Sequence, residues 1–157
     1  GVNMIQELIY TMFTNKVVLS LIFVFIAAEI IKLITFAYKQ KCFSPSCLVK
    51  GGGMPSTHTS LVSTLTFSVL FNFGFSILWV AIAVFSIIVA RDAFGVRKHA
   101  GEHAKLLNIM LQDSKLRKKY ENKSGKKQMQ ESIGHTPIEV FAGVILGLII
   151  SLIIFII

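Results

Sequence analysis

The segment from Val17 to Tyr38 reads VVLSLIFVFIAAEIIKLITFAY, with Glu29 and Lys32 its sole charges. A helix needs about 20 mostly apolar residues to cross the hydrocarbon core of a bilayer, and this run meets that length. A second run closes the sequence, 137–157, and two shorter ones lie between, at 58–73 and 75–90. In a chain of 157 residues, four such segments leave no room for a separate soluble domain. The expected fold is therefore all-α: a polytopic membrane helical bundle of about four transmembrane helices, forming one domain over 1–157. Composition agrees, since 54% of the residues are hydrophobic against about 45–50% in soluble domains.

Ahead of the first span, Met4, Ile5, Leu8, Ile9, Met12 and Phe13 recur at helical spacing, which suits a short amphipathic helix at the membrane interface. The first apolar run lacks a basic leader and a small-residue cleavage site, so it reads as a span and not as a signal peptide. Glu29 and Lys32 sit one turn apart within it. Charges there are costly in lipid unless they pair or face the protein interior, and the pair is open to a structural or a functional reading. Both middle spans are short, which fits little tilt or shelter by the outer two.

The formal charge is +8, and its distribution says what it is for. Segment 39–57 carries three Lys or Arg residues and the basic loop 91–136 carries eleven, while the opposite side has Lys16. Excess Lys and Arg in inter-helix segments reports orientation and contact with anionic headgroups, so both segments are expected in the cytoplasm with both chain ends across the membrane. Nucleic acid is not an expected partner. Cys42 and Cys47 share one short loop and read as reduced thiols, too few for a disulfide framework. The stretch after the third span, from Arg91, has apolar residues at 96, 100, 104, 107 and 111, so the helix is expected to resume outside the membrane. The lysine-dominated 114–131 reads as a solvated loop.

Two helix starts carry histidine. GGGMPSTH ends a glycine-rich loop where the second span begins. Free N–H groups at a helix start, the positive dipole end and the hydroxyls of Ser56 and Thr57 suit an anion, and glycines such as Gly53 allow close backbone approach. His58 lies one step inside, where an imidazole can exchange a proton near neutral pH. The plainer reading makes Ser56 an N-cap and His58 an interfacial side chain. At the fourth span, GHTPIEVFAG places His135 and Glu139 four apart, on one helix face, where the carboxylate can orient the imidazole and stabilise its charged form. Here the structural alternative is a capping box from Thr136, Pro137 and Glu139. The topology brings both histidines to one membrane face, which points to phosphoryl transfer.

These residues resemble the type 2 phosphatidic acid phosphatase superfamily, and more closely its divergent branch, described as acid phosphatase or vanadium-dependent haloperoxidase related. The resemblance rests on GGMPSTH, DAFGVRKHAG with a following LLN, and GHTPIEVFAG, in that order across nearly the whole chain. It implies a metal-independent membrane phosphatase needing no cofactor, acting on a lipid phosphate or prenyl (di)phosphate. Pro55-Ser56-Thr57-His58 would match the superfamily's Pro-Ser-Gly-His motif, with Ser56 on phosphate and His58 the general acid. His135 and Glu139 would match His-x3-Asp, with His135 the nucleophile and Glu139 its orienting carboxylate. Thr57 replaces a glycine and Glu139 an aspartate. The arginine that the superfamily places six residues before its nucleophile is Met129, and its opening motif of Lys, six residues, then Arg-Pro is only echoed by Lys32 to Lys39-Gln40. Arg97, Lys98 and Lys50 are the expected replacement cations for phosphate, with Asp92 positioning Arg97 or simply paired in a salt bridge. The alternative is a non-catalytic lipid-phosphate-binding or scaffold protein that keeps the fold.

Two further features stay open. His99 and His103, four apart with Glu102 adjoining, have a spacing that can bind zinc, but no third ligand is identified, so no metal is expected. Gly143 and Gly147 form a close-packing motif that serves either a helix contact within the chain or a homo-oligomer.

Overall fold

The computed structural model describes residues 2–40, 53–131 and 133–157. Among these the chain is all-α, with helices α1 (Val2–Thr14), α2 (Lys16–Gln40), α3 (Thr57–Phe73), α4 (Ile77–Phe94), α5 (Val96–Met110), α6 (Ser114–Ser124) and α7 (Pro137–Ile156). Lys50, Cys42 and Cys47 lie outside the described residues.

Three stretches are long and apolar enough to cross a membrane: Lys16–Tyr38 in α2, Ile77–Met110 across α4 and α5, and Pro137–Ile156 in α7. The fourth expected span, α3, has 17 residues. At 1.5 Å per residue it is about 25 Å long, near the lower limit for a span. It lies at the centre of the bundle, against α2, α4 and α7. Its buried residues are mostly hydroxylic: Thr57, Thr59, Ser60, Ser63, Thr64 and Ser68. Small side chains let neighbouring backbones approach closely, which drives helix association where lipid offers no hydrophobic gain. Gly143 and Gly147 of α7 complete that contact. A Cβ at Gly143 would stand 2.9 Å from the Ser56 carbonyl oxygen, and one at Gly147 would stand 2.8 Å from both Ser63 Cβ and Thr64 N. The glycine pair is thus used within the chain. Deeper in the bundle Ser68 Oγ donates to Ser151 Oγ at 3.1 Å, and Ser151 Oγ lies 3.1 Å from the Thr64 carbonyl.

Local signals explain the boundaries. Asn15 Oδ1 accepts from Val17 N at 2.9 Å and starts α2. Gly74, at φ +66°, turns α3 into α4, whose N-cap is Ser76. Lys16 Nζ donates to the Phe155 carbonyl at 3.1 Å, placing a cation on the negative end of α7.

The segment expected as a basic loop, 91–136, is largely helical. The helix resumes as α5, and 114–124, expected to be a solvated loop, forms α6. Three local interactions outweigh its high charge: Asp113 caps the start by accepting from Lys115 N at 2.7 Å, Arg117 pairs with Glu121 at 3.0 Å, and Gly125 closes the end in the left-handed region. Beyond α6 the chain forms a strap that returns along α5. Asn108 Nδ2 donates to the Met129 carbonyl at 2.9 Å and Met129 N donates back to Asn108 Oδ1 at 2.8 Å. A Cβ at Gly101 would collide with the Glu131 carbonyl oxygen, and one at Gly134 would collide with Lys98 N and Cα. The strap ends at His135, whose N–H donates to the Ala93 carbonyl at 3.0 Å.

Candidate active site

The starts of α3 and α7 are joined by one backbone hydrogen bond, Ser56 N to the Glu139 carbonyl at 3.0 Å. That bond sets the relative position of the two histidine-bearing termini. His58, the second residue of α3, is exposed. His135, just ahead of α7, keeps 10% of its side chain exposed. Arg97 of α5, His135 of the strap, Lys32 of α2 and Asp92 of α4 lie near enough to His58 for their charges to act on its ring.

Glu139 fills both roles that its position allowed. Its Oε2 lies 3.2 Å from His135 Nδ1 and accepts the Thr136 N–H at 2.9 Å, while Thr136 Oγ1 accepts Glu139 N in the reciprocal capping contact. A carboxylate on Nδ1 keeps the proton there and leaves Nε2 with its lone pair. Capping and orienting do not compete, because one oxygen accepts both donors.

Lys32 emerges as a member of the cluster. It lies 3.2 Å from Glu29 Oε1 with 12% of its side chain exposed, and its ammonium also donates to Thr57 Oγ1, which in turn donates to Glu29 Oε1 at 2.8 Å. The pair one turn apart on α2 is therefore a three-residue network that reaches the first residue of α3. The signals for it are a lysine inside an apolar run and the echo of the superfamily's opening motif, both visible without the fold.

The other expected anion contacts divide between buried and exposed positions. Ser56 is the N-cap of α3, accepting from Thr59 N and Thr59 Oγ1, and is completely buried. Thr57 is buried with its hydroxyl held in the Lys32–Glu29 network. Gly53, at φ +90°, packs its α-carbon against Phe36, where a Cβ would stand 2.9 Å from the ring. Arg97 Nε is hydrogen-bonded to Asp92 Oδ2, and both are partly exposed. Lys98 is exposed, with its backbone pressed against Gly134. Met129, in the position of the superfamily's arginine, lines an apolar groove with Leu107, Met110 and Leu116 between α5 and α6. On the exposed face of α5 His99 Nδ1 pairs with Glu102 at 3.0 Å.

Two residues of the DAFGVRKHAG and LLN segments hold the strap: Gly101 admits its backbone and Asn108 clamps it. Nothing in the local sequence pattern of α5 identifies that partner, which lies more than twenty residues away.

A family model described as "Divergent PAP2 family" matches residues 13–150. The chain is 36% identical over 149 residues to an uncharacterized membrane protein, YuiD, of Bacillus subtilis (strain 168), covering 89% of this chain and 94% of that protein. No solved structure matches it.

Proposed function

Because the chain belongs to the divergent PAP2 family, a phosphatase-related family of membrane proteins, we propose that it hydrolyses a lipid phosphate or prenyl (di)phosphate through a phosphohistidine. The observation that carries this reading is the His135–Glu139 contact, on a helix start joined to that of His58 by the Ser56 N–Glu139 carbonyl hydrogen bond. With Nδ1 held by Glu139 Oε2, His135 Nε2 is the free nucleophile. It attacks phosphorus and forms the P–N bond as the bond to the leaving oxygen breaks, and His58 in its protonated form gives that oxygen its proton. Water then attacks phosphorus, His58 recovers a proton from it, and the P–N bond breaks to release phosphate and free His135. Arg97 and Lys32 supply positive charge where the transition state concentrates negative charge on oxygen. Lys98 and Lys50 remain further cations for the phosphate, and Asp92 holds Arg97. With the basic segments on the cytoplasmic side, this site faces the cytoplasm at the membrane boundary.

Phosphate release by the purified protein from a panel of lipid and prenyl phosphates, with chelator present and His135→Ala alongside, tests the reading. Turnover by the wild type and at least a thousandfold loss in the variant are expected. Absence of turnover on every member, or equal turnover by the variant, overturns it.

A second reading is favoured by two observations: Ser56 is fully buried as an N-cap, and Met129 fills the position of the superfamily's arginine. In that reading the protein binds lipid phosphate without hydrolysing it. Vanadate or phosphate would then raise the melting temperature while no substrate turned over.

A further inference from the structure

A groove of about 350 Å³ runs between α2 and α7, lined by Ile31, Thr35, Met54, Pro55, Ala142, Ile145, Leu146 and Ile149. Six of these residues belong to α2 and α7, both long and apolar enough to cross a membrane, and Met54 and Pro55 precede α3. It is open at the side: Ile145 is 39% and Ile149 47% exposed. Its one polar side chain, Thr35, has its hydroxyl already engaged, 2.9 Å from the Lys32 carbonyl and 3.1 Å from that of Met54. A ligand along this surface finds no side-chain hydrogen-bonding group left to satisfy.

The groove has a defined head. Ala142, Leu146 and Ile149 follow Glu139 at three, seven and ten residues, so they lie on the face that begins with that carboxylate. Gly143 and Gly147 occupy a different face and meet α3. On α2 Ile31 adjoins Lys32, and ahead of α3 Pro55 adjoins Ser56. Ten residues of helix extend about 15 Å. A volume of 350 Å³, divided by the roughly 30 Å³ that a water-sized group takes in a liquid, holds about a dozen methylene-sized groups.

We infer that this groove holds one hydrocarbon chain of a phosphorylated amphiphile whose phosphate lies at the His58–His135 cluster. The inference rests on the proposed phosphate site and adds the substrate's second determinant. One chain of about a dozen carbons fits, so a longer alkyl or prenyl chain extends past the groove, and a two-chain phosphatidate leaves one chain in the bilayer.

The test uses the full-length protein in nanodiscs and an alkyl phosphate carrying a diazirine at the end of its chain, with peptide mapping of the labelled residues. It is run on wild type and on His135→Ala, so that binding is read independently of turnover. Labelling concentrated on residues 142–149 and on Ile31 and Met54, displaced by excess unlabelled alkyl or prenyl phosphate but not by the corresponding alcohols, is expected. The relative potency of those two competitors shows which chain type the groove prefers. Labelling spread evenly over lipid-facing helices, or displaced equally by the alcohols, overturns the inference even where turnover is observed. Groove labelling without turnover by the wild type supports the inference while removing the phosphatase reading. As a second measurement, Leu146→Trp is expected to lower kcat/KM on a long-chain phosphate at least tenfold and to leave a short, water-soluble phosphate within twofold. An equal loss on both substrates in a folded protein overturns the inference.

Discussion

One carboxylate oxygen of Glu139 stands 3.2 Å from Nδ1 of His135, and the same oxygen accepts the N–H of Thr136 at 2.9 Å. The orientation of the imidazole is therefore tied to the integrity of the first turn of α7.

Glu139→Gln separates the two functions. Glutamine at the third helical position preserves a capping box, so helix stability should change by less than about 1 kcal/mol. The negative charge that stabilises an imidazolium is lost, and turnover should fall by about 10³ or more. Glu139→Ala should lose the cap as well, costing a further ~1 kcal/mol. Phosphate release and thermal unfolding, measured on both variants, check the separation.

Lys32→Met removes a cation that acts on His58 and leaves Glu29 and Thr57 without their shared donor. Charge-assisted hydrogen bonds are worth about 1.5–3 kcal/mol, so vanadate affinity should fall about tenfold to a hundredfold. Lys32→Arg should retain most of it. Isothermal titration with vanadate decides, and unchanged affinity in Lys32→Met would remove this residue from the anion site.

Asn108→Ala should release the strap while leaving the spans packed. The Met129 N–H and carbonyl both lose their side-chain partner, at a cost of about 1–3 kcal/mol if they are left unpaired. Faster proteolysis within 125–135 and reduced turnover are expected, with little change in helical content by circular dichroism. Asn108→Gln, whose amide is one methylene displaced, should not restore the wild-type protection.

Gly147→Leu forces a side chain against backbone. With Ser63 Cβ and Thr64 N each 2.8 Å from the position of a Cβ, α3 and α7 must separate. Overpacking of this kind typically costs about 1–3 kcal/mol, and a lower melting temperature in detergent is the expected result. Ile153→Leu, on a half-exposed position of the same helix, should leave it unchanged within error.

Much of the fold is legible along the chain because it is local. The capping residues of α7, the four-residue spacing of His135 and Glu139, and the turn at Gly74 each depend on neighbours within one helical turn. The helix α6 escapes a reading by composition, which favours solvation, whereas its stability depends on a cap at each end and an ion pair. Lys32 is visible as an anomaly inside an apolar run, but its partner Thr57 lies twenty-five residues on. The strap is not legible, since nothing near Gly101 or Asn108 in sequence shows the returning backbone that they hold.

That the chain is a bundle of apolar helices, two of them with a histidine within two residues of their start, follows from the residue order alone, because hydropathy and capping are properties of contiguous residues. The folded chain is needed to establish that Ser56 N binds the Glu139 carbonyl, that the hydroxyl face of α3 meets the glycines of α7, and that Lys32, Arg97 and Asp92 converge on His58. These contacts join segments far apart in sequence, and their geometry depends on how closely the helix backbones can approach. That distance is set by glycine and serine on facing helices, and the Gly143–Gly147 spacing on one of them does not say which helix it meets.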